Sequence, residues 1–358
     1  MNNSIDDKTA HPSRTHKNSW VWETLIIAIL IIGAFFRFTG VNWDTDYHLH
    51  PDERFLTMVE SAITPVDNLS QYFNTSISSL NPNNKGYTFY VYGTLPIFIV
   101  RYVGELVGHT GYGDIHLVGR VVSGVFDLGT ILMIYLIGRK LYKNSKLGLL
   151  AALFSAMSVL QIQLSHYFTV DNVANFFAYA AIYAAVCIIM DESHTGMVDT
   201  NKPRWQQLLT HSHHFGKYAA FGLLFGMAMA SKVSIFALAL LLPLAAAIYY
   251  SKIPKENRES EIGFIFRNLV LAGVLAFITF RIFQPYAFLG PGFFGIKINP
   301  GWIASLKELS VISKGDVDVP YALQWANRPL SFAPSNLIQW GLGLSLGLLA
   351  VFGFLWMA

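Results

Sequence analysis

The stretch "LVGRVVSGVFDLGTILMIYLIGRKLYKNSK" (residues 117–146) joins a long apolar run to a basic turn. Residues 117–138 can cross a hydrocarbon core, which takes about 20 mostly apolar residues. The turn at 139–146 is rich in Lys and Arg, and short loops of this kind stay on the cytoplasmic side of a membrane. The stretch therefore predicts a transmembrane helix whose C-terminal end faces the cytoplasm.

The composition of the whole chain agrees with this reading. Of its 358 residues, 53% are hydrophobic and only 13% are charged, whereas a typical soluble domain carries about 25% charged residues. The single cysteine, Cys187, excludes a disulfide framework. The net charge is only +3, and we expect no nucleic-acid partner. The fold class predicted is an all-α polytopic membrane protein.

Seven other runs are apolar enough to be spans. With the first stretch, the predicted set is 21–41, 117–138, 147–164, 173–190, 218–231, 233–250, 267–286 and 336–357. A polar cytoplasmic tail at 1–20 precedes them. The last run has no basic residues after it, so we expect further chain, a missing C-terminal part, beyond residue 358.

One apolar piece, "YVYGTLPIFIVRYVGELVG" (90–108), is ambiguous because glycines, a proline and two charges interrupt it. If it crossed the membrane, basic loops would lie on both sides. If it does not cross, all basic segments share the cytoplasmic side. We therefore predict large extracytoplasmic loops at 42–116 and 287–335, with 90–108 as an interfacial helix in the first loop.

The first loop opens with "DTDYHLHPDERF" (44–55), which is unusually rich in titratable groups. Pro51, Asp52 and Glu53 suit the first turn of a helix, and this local role is a sufficient structural explanation for the acidic pair. A carboxylate here could also act as a base on an acceptor hydroxyl. Asp171 is similar: it could cap the helix of the fourth span, or it could belong to a site at the same face.

Basic residues stand where spans meet this outer face, although charge inside a membrane costs about 2.5–3.5 kcal/mol. Taken singly, each is explained by a side chain that reaches the interface. Together they indicate a site for an anionic lipid head group such as a phosphate. The residues concerned are Arg37, Arg120, Lys232, Arg281 and Arg328. Asp127, within the second span, is expected to pair with another helix.

A metal site is the alternative interpretation of the opening stretch. His48, His50 and Asp52 would share one side of an extended segment, and Asp44 and Asp46 form a weak DxD match. The minority reading therefore gives Asp44, Asp46, His48 and His50 as metal ligands. A second histidine cluster, "HSHHF" (211–215), is interpreted as a polar cytoplasmic loop.

Several motifs, in family order, resemble the GT-C glycosyltransferases, specifically the protein O-mannosyltransferases and the aminoarabinose transferase of lipid A. Besides residues 117–142, the matching stretches are "HPDER" (50–54), "YGTLPIFIVRYVG" (92–104), "AALFSAMSVLQIQLSHYFTVDN" (151–172), "GLLFGMAMASKVSIFALALLLPL" (222–244) and "RIFQPYAF" (281–288). The resemblance covers nearly the whole chain after residue 20.

The resemblance implies an inverting transfer of a sugar from a polyprenyl-phosphate donor to an acceptor hydroxyl on a lipid, a glycan or a protein. Asp52 would be the general base, Glu53 would help to position it, and Asp171 would hold the acceptor or the sugar. The residues expected to bind the substrate or its lipid phosphate are Lys232, Arg281, Arg120, Arg37, Tyr286 and Arg328. No cofactor is required, and the site would face the outside of a plasma membrane.

Two alternatives stay open. A transporter or flippase for an anionic lipid-linked substrate would explain the basic residues equally well, but it would not explain the long acidic first loop. An oligosaccharyltransferase-like enzyme would share the fold class and would require a divalent metal.

Overall fold

The computed structural model describes residues 19–191, 203 and 215–357. In these ranges the chain is helical, and an isolated bridge between Phe288 and Ile298 is the only β-pairing. The fold class predicted from the sequence is confirmed. The tail predicted at 1–20 and the histidine cluster at 211–215 lie outside the described residues, except at 19, 20 and 215.

Fifteen α-helices follow one another in the described ranges. They are α1 (Ser19–Phe38), α2 (Pro51–Ala62), α3 (Leu69–Tyr72), α4 (Thr94–Val107), α5 (Ile115–Tyr142), α6 (Ser145–Ala156), α7 (Val159–Ser165), α8 (Asp171–Ile189), α9 (Phe215–Ser231), α10 (Leu241–Lys252), α11 (Arg258–Phe283), α12 (Pro300–Lys314), α13 (Pro320–Leu323), α14 (Phe332–Asn336) and α15 (Leu344–Met357). A 3₁₀ segment, Val233–Leu240, leads into α10, and a π-helical turn, Leu337–Gly341, precedes α15.

Five segments in the described ranges are long and apolar enough to cross a membrane: α1, α5, α8, the 3₁₀ segment with α10, and most of α11. A sixth is possible if α6 and α7, which meet at a 58° bend, form one broken span. The predicted spans at 218–231 and 336–357 correspond to shorter helices, α9 and α15. At 1.5 Å per residue, α9 is about 26 Å long and α15 about 21 Å.

The helix directions place the first loop at one end of the bundle. Near the end of α1, Arg37 contacts Asp127 of α5, whereas Ile26 packs deeper, in a cluster with Tyr135, so α1 and α5 are antiparallel. The segment after α1 continues toward the N-terminal end of α5, because Asp44 contacts Arg120. The loop thus leaves α1 and enters α5 at one end of the bundle, which we call the upper end.

α4 lies within this loop, in the segment 90–108 that was predicted as an interfacial helix. Its 14 residues span about 21 Å, less than a hydrocarbon core of about 30 Å. Most of the helix is buried against α2, α5 and α9, and only its C-terminal part is open, with Leu106 86% exposed. α4 is therefore packed against the upper end of the bundle, and its C-terminal part is left open.

Candidate active site

Distant segments are tied together at the upper end. The Gly93 N–H donates to the Ser231 carbonyl at 3.1 Å, and the Thr94 N–H donates to the Gln284 side chain at 2.6 Å. The Phe168 N–H donates to Glu53 at 2.6 Å. These bonds bring together the start of α2, the segment before α4, the start of α8 and the end of α9.

The first turn of α2 forms as the sequence predicts. Pro51 stands in the first turn, and the Nδ1 atom of His50 accepts a 3.4 Å hydrogen bond from the Glu53 N–H. Asp52 and Glu53 place negative charge at the N-terminal end of the helix, where its dipole favours it. The two neighbouring carboxylates then point to different environments.

Glu53 points into the bundle and is fully buried. Its two oxygens accept hydrogen bonds from the Arg120 guanidinium at 2.8 and 2.5 Å. Arg120 also donates to Asp44 at 2.9 Å and to the Val41 carbonyl at 2.7 Å. We call Asp44, Glu53 and Arg120 the closed cluster, because all three side chains are shielded from solvent and bound to one another.

The pKa of Asp44 reflects this arrangement. Burial by itself raises the pKa, but the hydrogen bond from the Leu49 N–H and the Arg120 guanidinium outweigh it, so the pKa lies below its usual value. Arg120 was predicted to bind lipid phosphate, and Glu53 to help catalysis. Because Arg120 and Glu53 bind each other, their placement favours a structural role: the pair joins the first loop to α5.

Asp52 is exposed, and within the described part of the chain its carboxylate has no hydrogen-bond or ion-pair partner. On α2 it shares a helical stripe with Phe55, Leu56 and Val59, since residues three, four and seven apart lie on one side of a helix. Asp52 is therefore accessible and stands on the same side of α2 as Phe55.

Asp171 and Lys232 form an accessible ion pair at the upper end. Asp171 is the first residue of α8, and Lys232 directly precedes the 3₁₀ segment. The Lys232 ammonium donates to Asp171 at 2.6 Å, with the side chains 44% and 31% exposed. We call Asp52, Asp171 and Lys232 the open rim.

Two predicted phosphate ligands lie elsewhere. Arg37 is fully buried against Asp127, at 2.5 Å, which is the interhelical pairing predicted for that aspartate. It also donates to the Ala156 carbonyl at 2.8 Å, where α6 ends. Arg281 is fully buried and donates to the carbonyls of Phe293, Gly292 and Pro285. Both guanidiniums hold the fold together, because charged groups far from water need such partners.

Tyr286 and Arg328 are also placed away from the open rim. The Tyr286 side chain is buried, and its hydroxyl lies 2.7 Å from the Ser78 hydroxyl. Arg328 donates to the Gln324 carbonyl and lies over the Phe332 ring, 4.9 Å from its centroid. Of the six predicted phosphate ligands, only Lys232 presents its charge at the open rim.

The four residues of the alternative metal site contact separate partners. Asp44 binds Arg120, His50 stacks on Tyr167 with ring centroids 4.3 Å apart, and His48 packs against His116. The remaining one, Asp46, lies 3.5 Å from the Nε2 atom of His116. Among residues 19–191, 203 and 215–357, no group of three His, Cys, Asp or Glu side chains is arranged to hold a metal ion.

Sequence reasoning missed three groups that build the site. Gly93 has no Cβ, and one added there would lie 2.1 Å from the Ala230 carbonyl oxygen, so glycine allows this close crossing. The Phe168 N–H and the Gln284 side chain fix the other segments. Backbone donors leave no signal in a sequence, whereas the glycine within "YGTLP" was a visible hint.

Comparison with known proteins places this geometry in a class. Residues 97–198 match the model of the family described as dolichyl-phosphate-mannose-protein mannosyltransferase. The structure is similar to the protein O-mannosyltransferase Pmt1-Pmt2 complex of S. cerevisiae, solved with bound sugar donor. The TM-score is 0.55 and the identity 17%, over 76% of this chain and 35% of that one. No curated protein matches.

A second similar structure is the archaeal oligosaccharyltransferase AglB from Archaeoglobus fulgidus, solved with an inhibitory peptide and a dolichol-phosphate. The TM-score is 0.53 and the identity 16%, over 96% of this chain and 38% of that one. The chain has the GT-C fold of membrane glycosyltransferases. Within that class it resembles the protein O-mannosyltransferases, as predicted, and it spans little more than a third of the length of these structures.

Proposed function

We propose that this protein is a membrane glycosyltransferase that moves a sugar from a polyprenyl-phosphate donor to an acceptor hydroxyl. The observation that carries the proposal is the open rim, where the accessible carboxylate of Asp52 shares the upper end with the Asp171–Lys232 pair. The description of the matching family names dolichyl-phosphate-mannose, and the similar structures were solved with a sugar donor and with a dolichol-phosphate, which supports the same chemistry.

In the proposed reaction, Asp52 takes the proton of the acceptor hydroxyl as the oxygen attacks the anomeric carbon of the sugar. The bond from that carbon to the phosphate oxygen breaks, and polyprenyl phosphate leaves with the electron pair. Attack opposite the phosphate inverts the configuration. A positioned general base contributes about 10²–10⁴-fold to such a rate.

Lys232 is the proposed partner of the leaving phosphate. Its ammonium is 44% exposed, and a fixed positive charge stabilises the negative charge that develops on the phosphate. Asp171 holds the ammonium in place through their 2.6 Å contact and can turn toward the sugar or the acceptor. We propose no phosphate contact for Arg37, Arg120 or Arg281, because their guanidiniums bind the protein groups described above.

The test is a transfer assay with purified protein in liposomes and a labelled polyprenyl-phosphate hexose. We expect Asp52→Asn to lower transfer at least about 100-fold and to leave the unfolding midpoint unchanged. Asp67→Asn is the matched control, since Asp67 is an exposed carboxylate of the same loop. Full activity in Asp52→Asn would exclude Asp52 as the base.

Two further arms address the metal and the side of the membrane. We propose that no metal is required and that the enzyme stays active in excess EDTA; loss of activity would favour the oligosaccharyltransferase-like alternative.

We also propose a multi-pass plasma-membrane protein with its site outside. In a Cys187→Ser background, a membrane-impermeant reagent added outside intact cells should label Leu106→Cys but not Lys143→Cys.

A further inference from the structure

Aromatic rings line the side of α2 that carries Asp52, and the proposed reaction leaves them without a role. Phe55 lies one turn after Asp52. Its ring centroid is 5.8 Å from that of Tyr87, 5.8 Å from that of Tyr92 and 6.3 Å from that of Tyr90. Tyr90 and Tyr92 also contact each other, at 5.9 Å. We call Phe55, Tyr87, Tyr90 and Tyr92 the aromatic wall.

Hydrogen bonds to the backbone hold two residues of the wall in place. Tyr90 is buried, and its hydroxyl donates to the Gly93 carbonyl at 3.1 Å. The Tyr87 hydroxyl donates to the Met58 carbonyl of α2 at 2.8 Å. Phe55, Tyr87 and Tyr92 are only partly buried. The rings therefore have fixed orientations, and part of the wall is accessible from the upper end.

Chain contacts link this wall to both parts of the open rim. Tyr92 precedes Gly93, whose N–H bonds to the Ser231 carbonyl, and Ser231 precedes Lys232. On the other side, Phe55 and Asp52 share one stripe of α2. A molecule that reached from Lys232 to Asp52 would therefore pass along the aromatic wall.

We infer that the aromatic wall, with Tyr92 at its edge, binds the sugar ring of the lipid-phosphate donor. This inference rests on the proposed function. A pyranose ring presents C–H groups on its faces and hydroxyls around its edge. The C–H face packs on the electron-rich face of an aromatic ring, while nearby polar groups fix its orientation.

Such stacking gives the wall a positioning role in the transfer. With the phosphate at Lys232 and the sugar face on Tyr92, the anomeric carbon is held between the leaving phosphate and the hydroxyl that Asp52 activates. Holding reacting atoms in line contributes to the rate without any chemical step by the aromatic residues. The wall would also favour sugars with an unobstructed C–H face.

The experiment compares two probes on purified protein in nanodiscs: polyprenyl phosphate carrying a hexose, and the same polyprenyl phosphate without the sugar. The ratio of their dissociation constants isolates the contribution of the sugar. We expect Tyr92→Leu to reduce this ratio about tenfold, and Tyr92→Phe to keep it. Tyr142→Leu, at the other end of α5, is the matched control.

Lys232→Met separates the wall from the phosphate site, because it should weaken both probes and leave their ratio unchanged. Should Tyr92→Leu fail to fold, Tyr87→Leu on the same wall provides the same readout. An unchanged ratio in folded Tyr92→Leu, with transfer by the wild type intact, would overturn the inference alone. A wild type that binds neither probe and transfers no sugar would overturn the proposed function as well.

Discussion

The closed cluster and the open rim both combine carboxylates with a basic residue. Their members Glu53 and Asp52 are neighbours in one turn of α2. In the closed cluster, Arg120 binds Glu53 and Asp44 away from water. In the open rim, Lys232 and Asp171 keep much of their surface exposed, and Asp52 is accessible. Charges matched inside the protein fix the loop, while accessible charges remain able to meet a substrate.

The largest expected effect comes from breaking the closed cluster. Arg120→Met should lower the free energy of unfolding by about 3–5 kcal/mol, because it leaves two carboxylates buried without a cation. Chemical unfolding in detergent measures this loss. Lys232→Met is the matched comparison at the open rim and should cost less than about 1 kcal/mol. Equal losses in the two variants would remove the distinction between the regions.

Gly93→Ala tests the crossing that joins the aromatic wall to the open rim. The new Cβ would meet the backbone oxygen of Ala230, and relieving such a clash costs about 1–3 kcal/mol of unfolding free energy. The shift also moves Ser231 and Lys232, so sugar transfer should fall more than stability alone explains. Gly113→Ala is the control, since a Cβ there meets nothing. Identical behaviour of both variants would contradict a close crossing.

Lys232→Met sharpens the functional side of the comparison. We expect the affinity for polyprenyl phosphate to fall about tenfold, since a charge-assisted contact to phosphate contributes about 1.5–3 kcal/mol. Lys85→Met, which changes an exposed lysine of the first loop, should have no effect. If the two variants bind polyprenyl phosphate equally well, the phosphate is held elsewhere.

Glu60 gives the smallest effect, and it depends on pH. This carboxyl group is fully buried on α2, and neither oxygen has a hydrogen-bond partner among the residues that the structure describes. Burial raises its pKa well above the usual 4.5, although Arg101 acts in the opposite direction. The folded protein therefore keeps the proton to higher pH than the unfolded chain does.

The stability that this proton provides is complete below about pH 4.5. It is lost as pH rises toward the folded-state pKa, by at most about 1.4 kcal/mol per pH unit. Glu60→Gln should remove this part of the pH dependence of thermal unfolding, whereas Asp67→Asn should keep it. Parallel stability–pH curves for the wild type and Glu60→Gln would show that folding does not shift the pKa of Glu60.

The sequence determined the fold class and much of the layout of the helices. Apolar runs form helices in a membrane because a helix satisfies its backbone hydrogen bonds within the segment itself. The first turn of α2, with Pro51 and its acidic pair, was equally readable, since capping and dipole effects act over a few residues. The family resemblance added Asp52, Asp171 and Lys232, whose roles stay predictions.

Only the tertiary structure decided which charges are open. Glu53 and Asp52 are neighbours with almost the same local signals. Arg120, which lies 67 positions after Glu53, binds the Glu53 carboxylate and does not bind that of Asp52. Arg37 and Arg281 looked like phosphate ligands because position along a span says nothing about a partner on another helix. Burial and pairing depend on contacts between distant segments, and those contacts exist only once the chain has folded.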